Sequence, residues 1–216
     1  GLRMLSAIAE ALQIIEQTTG VRPDLSALPF DDPAIYDTIS RADTIGIFQV
    51  ESRAQAQVLP QLKPRCFEDI IVSISLIRPG PLQGNMVHPY LRRRRGEEPV
   101  AFAHPLLEPS LGETLGVILF QEQVLKVTRD LAGFTPGQGE GLRRVLGKWD
   151  APKAAEAAEA FRQAFMDGAR QRDVREDIAA SVFDQLKAFG GYSFPKSHAA
   201  AFAVLVYQSA WLKLYH

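Results

Sequence analysis

Cysteine is almost absent from this chain, because Cys66 is the only one among 216 residues. A single cysteine excludes an internal disulfide framework and suits a reducing compartment, so we expect a cytoplasmic protein. Cys66 and the four histidines show no metal-ligand spacing, which predicts that the chain holds no structural zinc. No apolar run reaches the roughly 18 residues of a membrane span, and no secretory segment opens the chain, so we expect no membrane partner.

Net charge is also nearly absent, at −1, yet the basic residues are unevenly distributed. Two clusters stand out from more acidic surroundings. They are Arg92, Arg93, Arg94 and Arg95, and then Arg143, Arg144 and Lys148. A basic patch in an acidic field attracts polyanions. The first cluster is either a set of contacts to a nucleic-acid backbone or a solvated arginine face at a helix end.

Hydrophobic periodicity predicts a mainly α fold with a few short β segments. The helices are predicted near 5–20, 52–62, 66–77, 138–147, 152–171, 174–189 and 199–214, with a further one that carries Gln121, Glu122 and Gln123, and β-like runs are predicted at 45–50 and 116–120. A proline-rich linker follows the first helix, and Arg78-Pro-Gly-Pro81 forms a stiff elbow, since proline lacks an N–H and restricts the residue before it. No internal repeat is found.

The polar residues Lys196, Ser197 and His198 precede an almost wholly apolar segment, predicted to be a buried helix. The first-turn N–H groups of a helix and the positive end of its dipole favour an anion, commonly phosphate. Ser197 is suited to cap the helix. The alternative is an ordinary capped core helix with an exposed lysine and a hydrogen-bonded histidine.

The second basic cluster is predicted to lie on an amphipathic helix. Leu142, Val145 and Leu146 share one face, while Arg144 and Lys148 align on another with Arg143 beside them. The planar guanidinium can grip phosphate oxygens through two hydrogen bonds and stays charged at any working pH. This pattern therefore predicts phosphate binding, although an ordinary amphipathic surface helix has the same spacing.

Taken in order, these segments resemble the fingers region of bacterial C-family DNA polymerases, the alpha-subunit type of DNA polymerase III. The resemblance covers essentially the whole chain. Its motifs are Ile45-Gly-Ile-Phe-Gln-Val-Glu-Ser-Arg53, Cys66-Phe-Glu-Asp-Ile-Ile71, Arg78-Pro-Gly-Pro-Leu-Gln83, Leu119-Phe-Gln-Glu-Gln123, Leu142-Arg-Arg144 and Tyr192-Ser-Phe-Pro-Lys-Ser-His-Ala199. It implies a piece of a larger multidomain polymerase, with residues 1–40 connecting palm to fingers and residues 41–216 forming fingers truncated at the C-terminus.

The resemblance also implies roles for individual residues. The nucleotide-binding set would be Arg143, Arg144, Lys148, Lys196, Ser197 and His198, and the pocket-shaping set Arg78, Gln83 and Gln121. We expect no catalytic residue and no metal ligand in this chain, because no Asp-x-Asp pair lies in an apolar strand setting. The Mg²⁺ ions of such an enzyme would be held by palm carboxylates, which clamp the attacking and leaving oxygens.

Most motifs resemble the error-prone, damage-tolerant branch of the family. They include Phe48-Gln-Val-Glu-Ser-Arg-Ala-Gln55, Met86-Val-His-Pro-Tyr-Leu-Arg-Arg-Arg94 and Gly96-Glu-Glu-Pro-Val100, whereas Lys196 and Gly147-Lys148 look more like the replicative alpha subunit. The error-prone branch implies DNA repair and damage-induced mutagenesis, with primer-template DNA, dNTP, the sliding clamp and accessory mutagenesis proteins as partners. The alternatives are a replicative alpha subunit, a non-catalytic helical nucleic-acid-binding module and a plain helical scaffold.

Overall fold

The computed structural model describes residues 2–78, 86–148, 152–190 and 194–216, and every regular element in these ranges is helical. The α-helices are α1 (Leu2–Thr19), α2 (Pro33–Ser40), α3 (Arg53–Leu62), α4 (Phe67–Leu76), α5 (Val87–Arg94), α6 (Glu108–Leu111), α7 (Gln121–Ala132), α8 (Pro136–Leu146), α9 (Pro152–Arg170), α10 (Glu176–Gly190) and α11 (Lys196–Tyr215). Short 3₁₀ turns lie at Leu25–Ala27, Pro105–Leu107 and Gly112–Thr114. The mainly α prediction is confirmed. In the described ranges, no helix has the length and apolarity needed to span a membrane.

Side-chain caps explain why two of the predicted helices begin where they do. The hydroxyl of Ser52 accepts from the N–H of Gln55 at 3.3 Å and opens α3. Thr135 and Gln138 form a reciprocal capping box before α8, with Gln138 Oε1 accepting from the Thr135 N–H at 2.9 Å. Pro136 then occupies the first turn, so α8 begins earlier than predicted.

The β-like run 45–50 is not a strand, and this prediction was wrong. Gly46 and Gln49 both have positive φ, at 80° and 64°, which an extended strand does not tolerate. The backbone instead folds into turns, in which the Ile47 N–H donates to the carbonyl of Thr44 at 3.0 Å. The hydroxyl of Thr44 donates to the carbonyl of Val50 at 2.8 Å and closes the loop.

The second β-like run, 116–120, is also not a strand, because a side chain takes the place of a neighbouring strand. The N–H groups of Leu119 and Phe120 both donate to Gln123 Oε1, at 2.8 and 2.9 Å. Gln123 is fully buried, and its Nε2 donates to the Thr114 hydroxyl at 2.8 Å and to the Ser110 carbonyl at 3.3 Å. The apolar run is thus a buried loop that leads into α7.

The chain divides into two compact units. The first comprises residues 1–74 and 197–216, and its core includes Ile35, Ile39, Leu59 and Tyr207. The Tyr207 hydroxyl accepts from the Asp32 N–H at 3.0 Å. The core of this unit is therefore completed by a helix that is distant in sequence.

Helix α11 is less buried than the sequence predicts. Ala199, Ala203, Val206, Tyr207 and Ala210 are buried, but Ala201, Lys213, Leu214 and Tyr215 are exposed. Its polar residues contact loops of the same unit: Ser209 Oγ accepts from the Phe48 N–H at 3.1 Å, Gln208 Nε2 donates to the Leu25 carbonyl at 3.2 Å, and Lys213 Nζ donates to the Asp43 carbonyl at 2.9 Å. The helix is therefore only partly buried, and its few polar side chains bind backbone groups of nearby loops.

The second unit comprises residues 75–196 and is built around α7, α8, α9 and α10. Phe165 lies at its centre, with its ring centroid 5.5 Å from that of Phe183 and 6.1 Å from that of Phe134. Helix α9 approaches the end of α7 closely at Gly168, where an added Cβ would lie 2.1 Å from the Ala132 carbonyl oxygen. The side chains at the start of α7 and at the end of α8 therefore project from a packed helical core.

Candidate functional site

The start of α7 is the point at which several of the predicted site residues meet. The backbone N–H of Gln121, the first residue of α7, donates to the carbonyl of Phe194 at 2.9 Å. This hydrogen bond places the segment before Lys196 against the entrance of α7, within the second unit. The buried Gln123 holds the preceding loop, so it also fixes the position of Gln121.

Arg143 and Arg144 lie in the last turn of α8, whose opposite side is anchored by the fully buried Leu142 and Leu146. The predicted division into an apolar face and a cationic face is confirmed. In the amide orientation that satisfies both groups, the Gln121 side-chain oxygen accepts from Arg143 Nη1 at 3.0 Å and Nε at 2.9 Å. The structure therefore brings Gln121, Arg143 and Arg144 together.

Glu140, which was not among the predicted site residues, binds both arginines. Its Oε2 accepts from Arg143 Nε at 2.7 Å, and its Oε1 accepts from Arg143 Nη2 at 2.7 Å and from Arg144 Nε at 3.0 Å. The hydrogen bonds from Arg143, and then those from Arg144, lower the pKa of Glu140 to about 2. The same contact raises the pKa of Arg143. The spacing of Glu140 from the two arginines, i to i+3 and i+4, could have predicted this contact.

Lys196 is also bound by carboxylates. Its Nζ donates to Glu113 Oε2 at 2.5 Å, and its backbone N–H lies within 3.1 and 3.2 Å of the two carboxylate oxygens of Glu122. The start of α11 thus attracts an anion, as the sequence predicts, but in this structure the anion is a glutamate of the chain itself. The ammonium also lies 5.6 Å from the centroid of the Phe120 ring.

Ser197 and His198 follow Lys196 but belong to the first unit, and both are exposed. Because α11 begins at Lys196, Ser197 lies inside the first turn and is not the capping residue that the sequence predicted. The His198 ring lies against Phe202, with centroids 4.2 Å apart.

The remaining predicted pocket residues have different environments. The guanidinium of Arg78 lies over the Phe194 ring, 3.4 Å from its centroid, and burial lowers the pKa of Arg78. Lys148 is exposed just beyond the end of α8. Gln83 lies outside the described residues. Arg78 therefore contacts the same segment, through Phe194, that Gln121 holds.

The arginines of the first basic cluster lie at the end of α5 and are largely engaged by two glutamates. Arg92 and Arg93 pair with Glu98 through their Nε atoms, at 2.8 and 3.1 Å, and Arg95 pairs with Glu97 at 2.6 Å. Only 14% of the Arg93 side chain is exposed, and its Nη1 donates to the Leu115 carbonyl at 2.7 Å. Arg93 thus has a structural contact that a purely solvated arginine face does not predict.

No group of three or more His, Cys, Asp or Glu side chains with metal-binding geometry occurs in the described part of the chain. The carboxylates that contact the predicted site residues, those of Glu113, Glu122 and Glu140, do not fit a divalent ion, because each accepts hydrogen bonds from Lys196 or from the two arginines of α8.

Comparison with known proteins places this chain in one family, and the family model and the curated relatives agree on it. A family model described as the bacterial DNA polymerase III alpha subunit finger domain matches residues 4–173. Curated proteins named error-prone DNA polymerase are similar to this chain: that of Methylococcus capsulatus is 47% identical over 100% of the chain, that of Pseudomonas aeruginosa 48% over 98%, and that of Mycobacterium tuberculosis 45% over 100%. The chain spans about 20% of the length of each of these relatives.

Proposed function

Since the chain belongs to the finger-domain family of the bacterial DNA polymerase III alpha subunit, we propose that it forms the fingers of an error-prone DNA-directed DNA polymerase. The resemblance to the error-prone branch is borne out by the names of its relatives. In this nucleotidyltransferase the segment positions the incoming dNTP and the templating pair during damage-induced synthesis and repair. The division into a connection (1–40) and fingers (41–216) belongs to the same proposal.

One observation carries the nucleotide role: Arg143 and Arg144 share one helix end, and Gln121 connects Arg143 to the segment that begins α11. Guanidinium forks make short, charge-assisted hydrogen bonds to phosphate oxygens. Arg143 is well placed for such contacts, because 24% of its side chain is exposed and the rest is fixed by neighbours, whereas 73% of Arg144 is exposed. Together they provide adjacent cations for a triphosphate.

The other residues complete this arrangement. Lys196 adds a third cation beside α7 and Lys148 a fourth at the end of α8. Ser197 and His198 are assigned to the nucleotide by the family resemblance alone. Arg78, Gln83 and Gln121 shape the pocket.

The remaining interactions of the parent enzyme are part of the proposal. Arg92, Arg93, Arg94 and Arg95 contact the DNA backbone, and Arg93 also donates to the Leu115 carbonyl. The Mg²⁺ ions are assigned to palm carboxylates and not to residues of this chain. We place the enzyme in the cytoplasm, with primer-template DNA, the sliding clamp and accessory mutagenesis proteins as partners.

The test is steady-state nucleotide incorporation by the full-length polymerase at varied dNTP concentration, with DNA binding measured at several salt concentrations. Arg143→Ala is expected to cost about 2 to 4 kcal/mol of transition-state stabilisation, seen in kcat/KM for the nucleotide, and Arg144→Ala less because it is more exposed. Lysine at either position should rescue only in part. Primer-template affinity should change little, since one phosphate contact among many is worth less.

Arg162→Ala is a matched control, because Arg162 is a partly exposed arginine of α9 in an i,i+3 pair with Glu159. It should leave nucleotide dependence unchanged. If the Arg143 and Arg144 variants instead lose duplex affinity and keep wild-type nucleotide dependence, the nucleotide role is wrong and the chain is better described as a nucleic-acid-binding module.

A further inference from the structure

Glu140 occupies the edge of Arg143 that grips phosphate. The Nε and Nη2 atoms of Arg143 both donate to Glu140, at 2.7 Å each, and Nη1 is directed to Gln121. A guanidinium binds two oxygens of a carboxylate or a phosphate through the same fork. A phosphate group and Glu140 therefore cannot bind the Nε and Nη2 edge of Arg143 at the same time.

The contact with Arg144 has the same consequence. Glu140 Oε1 is shared between Arg143 Nη2 and Arg144 Nε, so a single carboxylate holds both guanidinium groups side by side. Two cations and one anion leave a net charge of +1, and a polyphosphate would neutralise both arginines more completely. Since the pKa of Glu140 is about 2, protonation does not release the arginines at a working pH. Glu140 therefore stays ionised, and an anionic ligand must compete with its carboxylate for the two guanidinium groups.

A comparable arrangement occurs at Lys196. Its ammonium is bound to Glu113 Oε2 at 2.5 Å, although the two residues are far apart in sequence. Three of the cations assigned to the nucleotide are thus already bound to carboxylates of the same unit.

We infer that Glu140 is a positioning residue that holds Arg143 and Arg144 together in the absence of nucleotide and is displaced from them by the triphosphate. This inference rests on the proposed nucleotide role of the two arginines. Glu140 pre-orders the two side chains, and it lowers the apparent nucleotide affinity because its contacts must be broken first. Glu140 therefore competes with the nucleotide for the two arginines and raises the nucleotide concentration needed for half-saturation.

The test compares Glu140→Gln with wild type in the full-length polymerase, with saturating primer-template and varied dNTP. Glutamine has nearly the same shape but no charge, so the competing anion is weakened while the fold is kept. We expect the KM for nucleotide to fall by roughly two- to fivefold, the range typical of exposed ion pairs, with little change in kcat. The gain should shrink at high salt, because salt screens the competing contact.

Two further variants separate charge from structure. Glu140→Asp keeps the charge and is expected to restore a KM close to wild type. Glu159→Gln is the matched control, because Glu159 pairs with Arg162 at i,i+3 on α9, at 3.6 Å, and has no place in the proposed site. Its KM should equal that of wild type. Thermal unfolding of each variant checks that the fold is retained.

The outcomes distinguish this inference from the proposed function. If Arg143→Ala and Arg144→Ala raise KM but Glu140→Gln leaves it unchanged or raises it, Glu140 does not compete with nucleotide, and the inference fails while the proposed function stands. If the arginine variants leave nucleotide dependence unchanged, the proposed function fails first, and this inference fails with it. A lower KM for both Glu140→Gln and Glu140→Asp would show that shape, and not charge, is responsible, which also contradicts the inference.

Discussion

Gln123 gives the sharpest stability prediction, because one buried side chain satisfies two backbone N–H groups. Its Oε1 accepts from Leu119 and Phe120, and its Nε2 donates to Thr114 and Ser110. Gln123→Leu has a similar volume but removes all four contacts. The N–H groups of Leu119 and Phe120 would then be buried without a partner, in a loop that has no neighbouring strand.

The magnitude follows from these two orphaned donors. An unsatisfied buried N–H costs about 1 to 3 kcal/mol, so the pair costs about 2 to 6 kcal/mol. The Thr114 hydroxyl adds little, because it keeps the Val117 carbonyl as a partner at 2.6 Å. Leucine recovers part of the loss through apolar burial, which leaves a net destabilisation of about 2 to 4 kcal/mol. That is a large fraction of the roughly 5 to 15 kcal/mol that stabilises a typical domain.

The assay is urea unfolding followed by far-ultraviolet circular dichroism, together with hydrogen exchange at the amides of Leu119 and Phe120. The control is Gln163→Leu, since Gln163 is exposed on α9 and only donates to Asp167 at 3.1 Å. We expect a lower midpoint and faster local exchange for Gln123→Leu alone. Equal midpoints and equal exchange for the two variants would refute the argument that Gln123 replaces a strand partner.

Three further predictions concern other parts of the molecule. Gly168→Ala should destabilise by about 1 to 3 kcal/mol in thermal or urea unfolding, because its Cβ would meet the Ala132 carbonyl at 2.1 Å; Gly137→Ala, with open space around it, should not destabilise. The contact between Glu140 and the two arginines contributes its full stability above pH 4.5, the ordinary carboxyl pKa, and this contribution is lost as the pH falls through about 2. A titration of the Glu140 carboxyl carbon chemical shift should therefore have its midpoint near pH 2, and a midpoint near 4.5 would contradict the structure. The chain alone should show no template-dependent primer extension with any divalent metal, and extension by protein free of contaminating polymerase would show that catalytic carboxylates lie within it.

Most of the helices could be predicted from sequence because their start signals are local. Ser52 and Thr135 cap helices within three residues of themselves, and the face formed by Leu142 and Leu146 follows from helical spacing alone. The cationic face that carries Arg143 was predictable for the same reason.

The failures arise where a distant or unexpected group satisfies the backbone. The run 116–120 is apolar enough for a strand, but its donors are satisfied by the side chain of Gln123, which no periodicity reveals. The strand predicted at 45–50 does not form, because Gln49 has a positive φ, which is rare for glutamine and incompatible with an extended strand.

The two carboxylates that bind the predicted cations also differ in whether sequence could have identified them. Glu140 was within reach of a sequence argument, since i to i+3 and i+4 pairs meet on a helix. Glu113 was not, because its contact with Lys196 depends on how separate parts of the second unit pack. Sequence therefore identified the cations but missed the carboxylates that hold them.

The discontinuity of the first unit determines the order in which the molecule can be completed during synthesis. Ser209 and Lys213 bind loops at Phe48 and Asp43, so these contacts must wait until the ribosome has released α11. Residues 75–196, by contrast, contain a continuous core that can condense earlier, because its contacts close shorter loops. Until α11 emerges, the hydroxyl of Tyr207 and the N–H of Asp32 have not met, and the rings of Phe30 and Tyr36 lack the Tyr207 ring that they pack against in the finished unit.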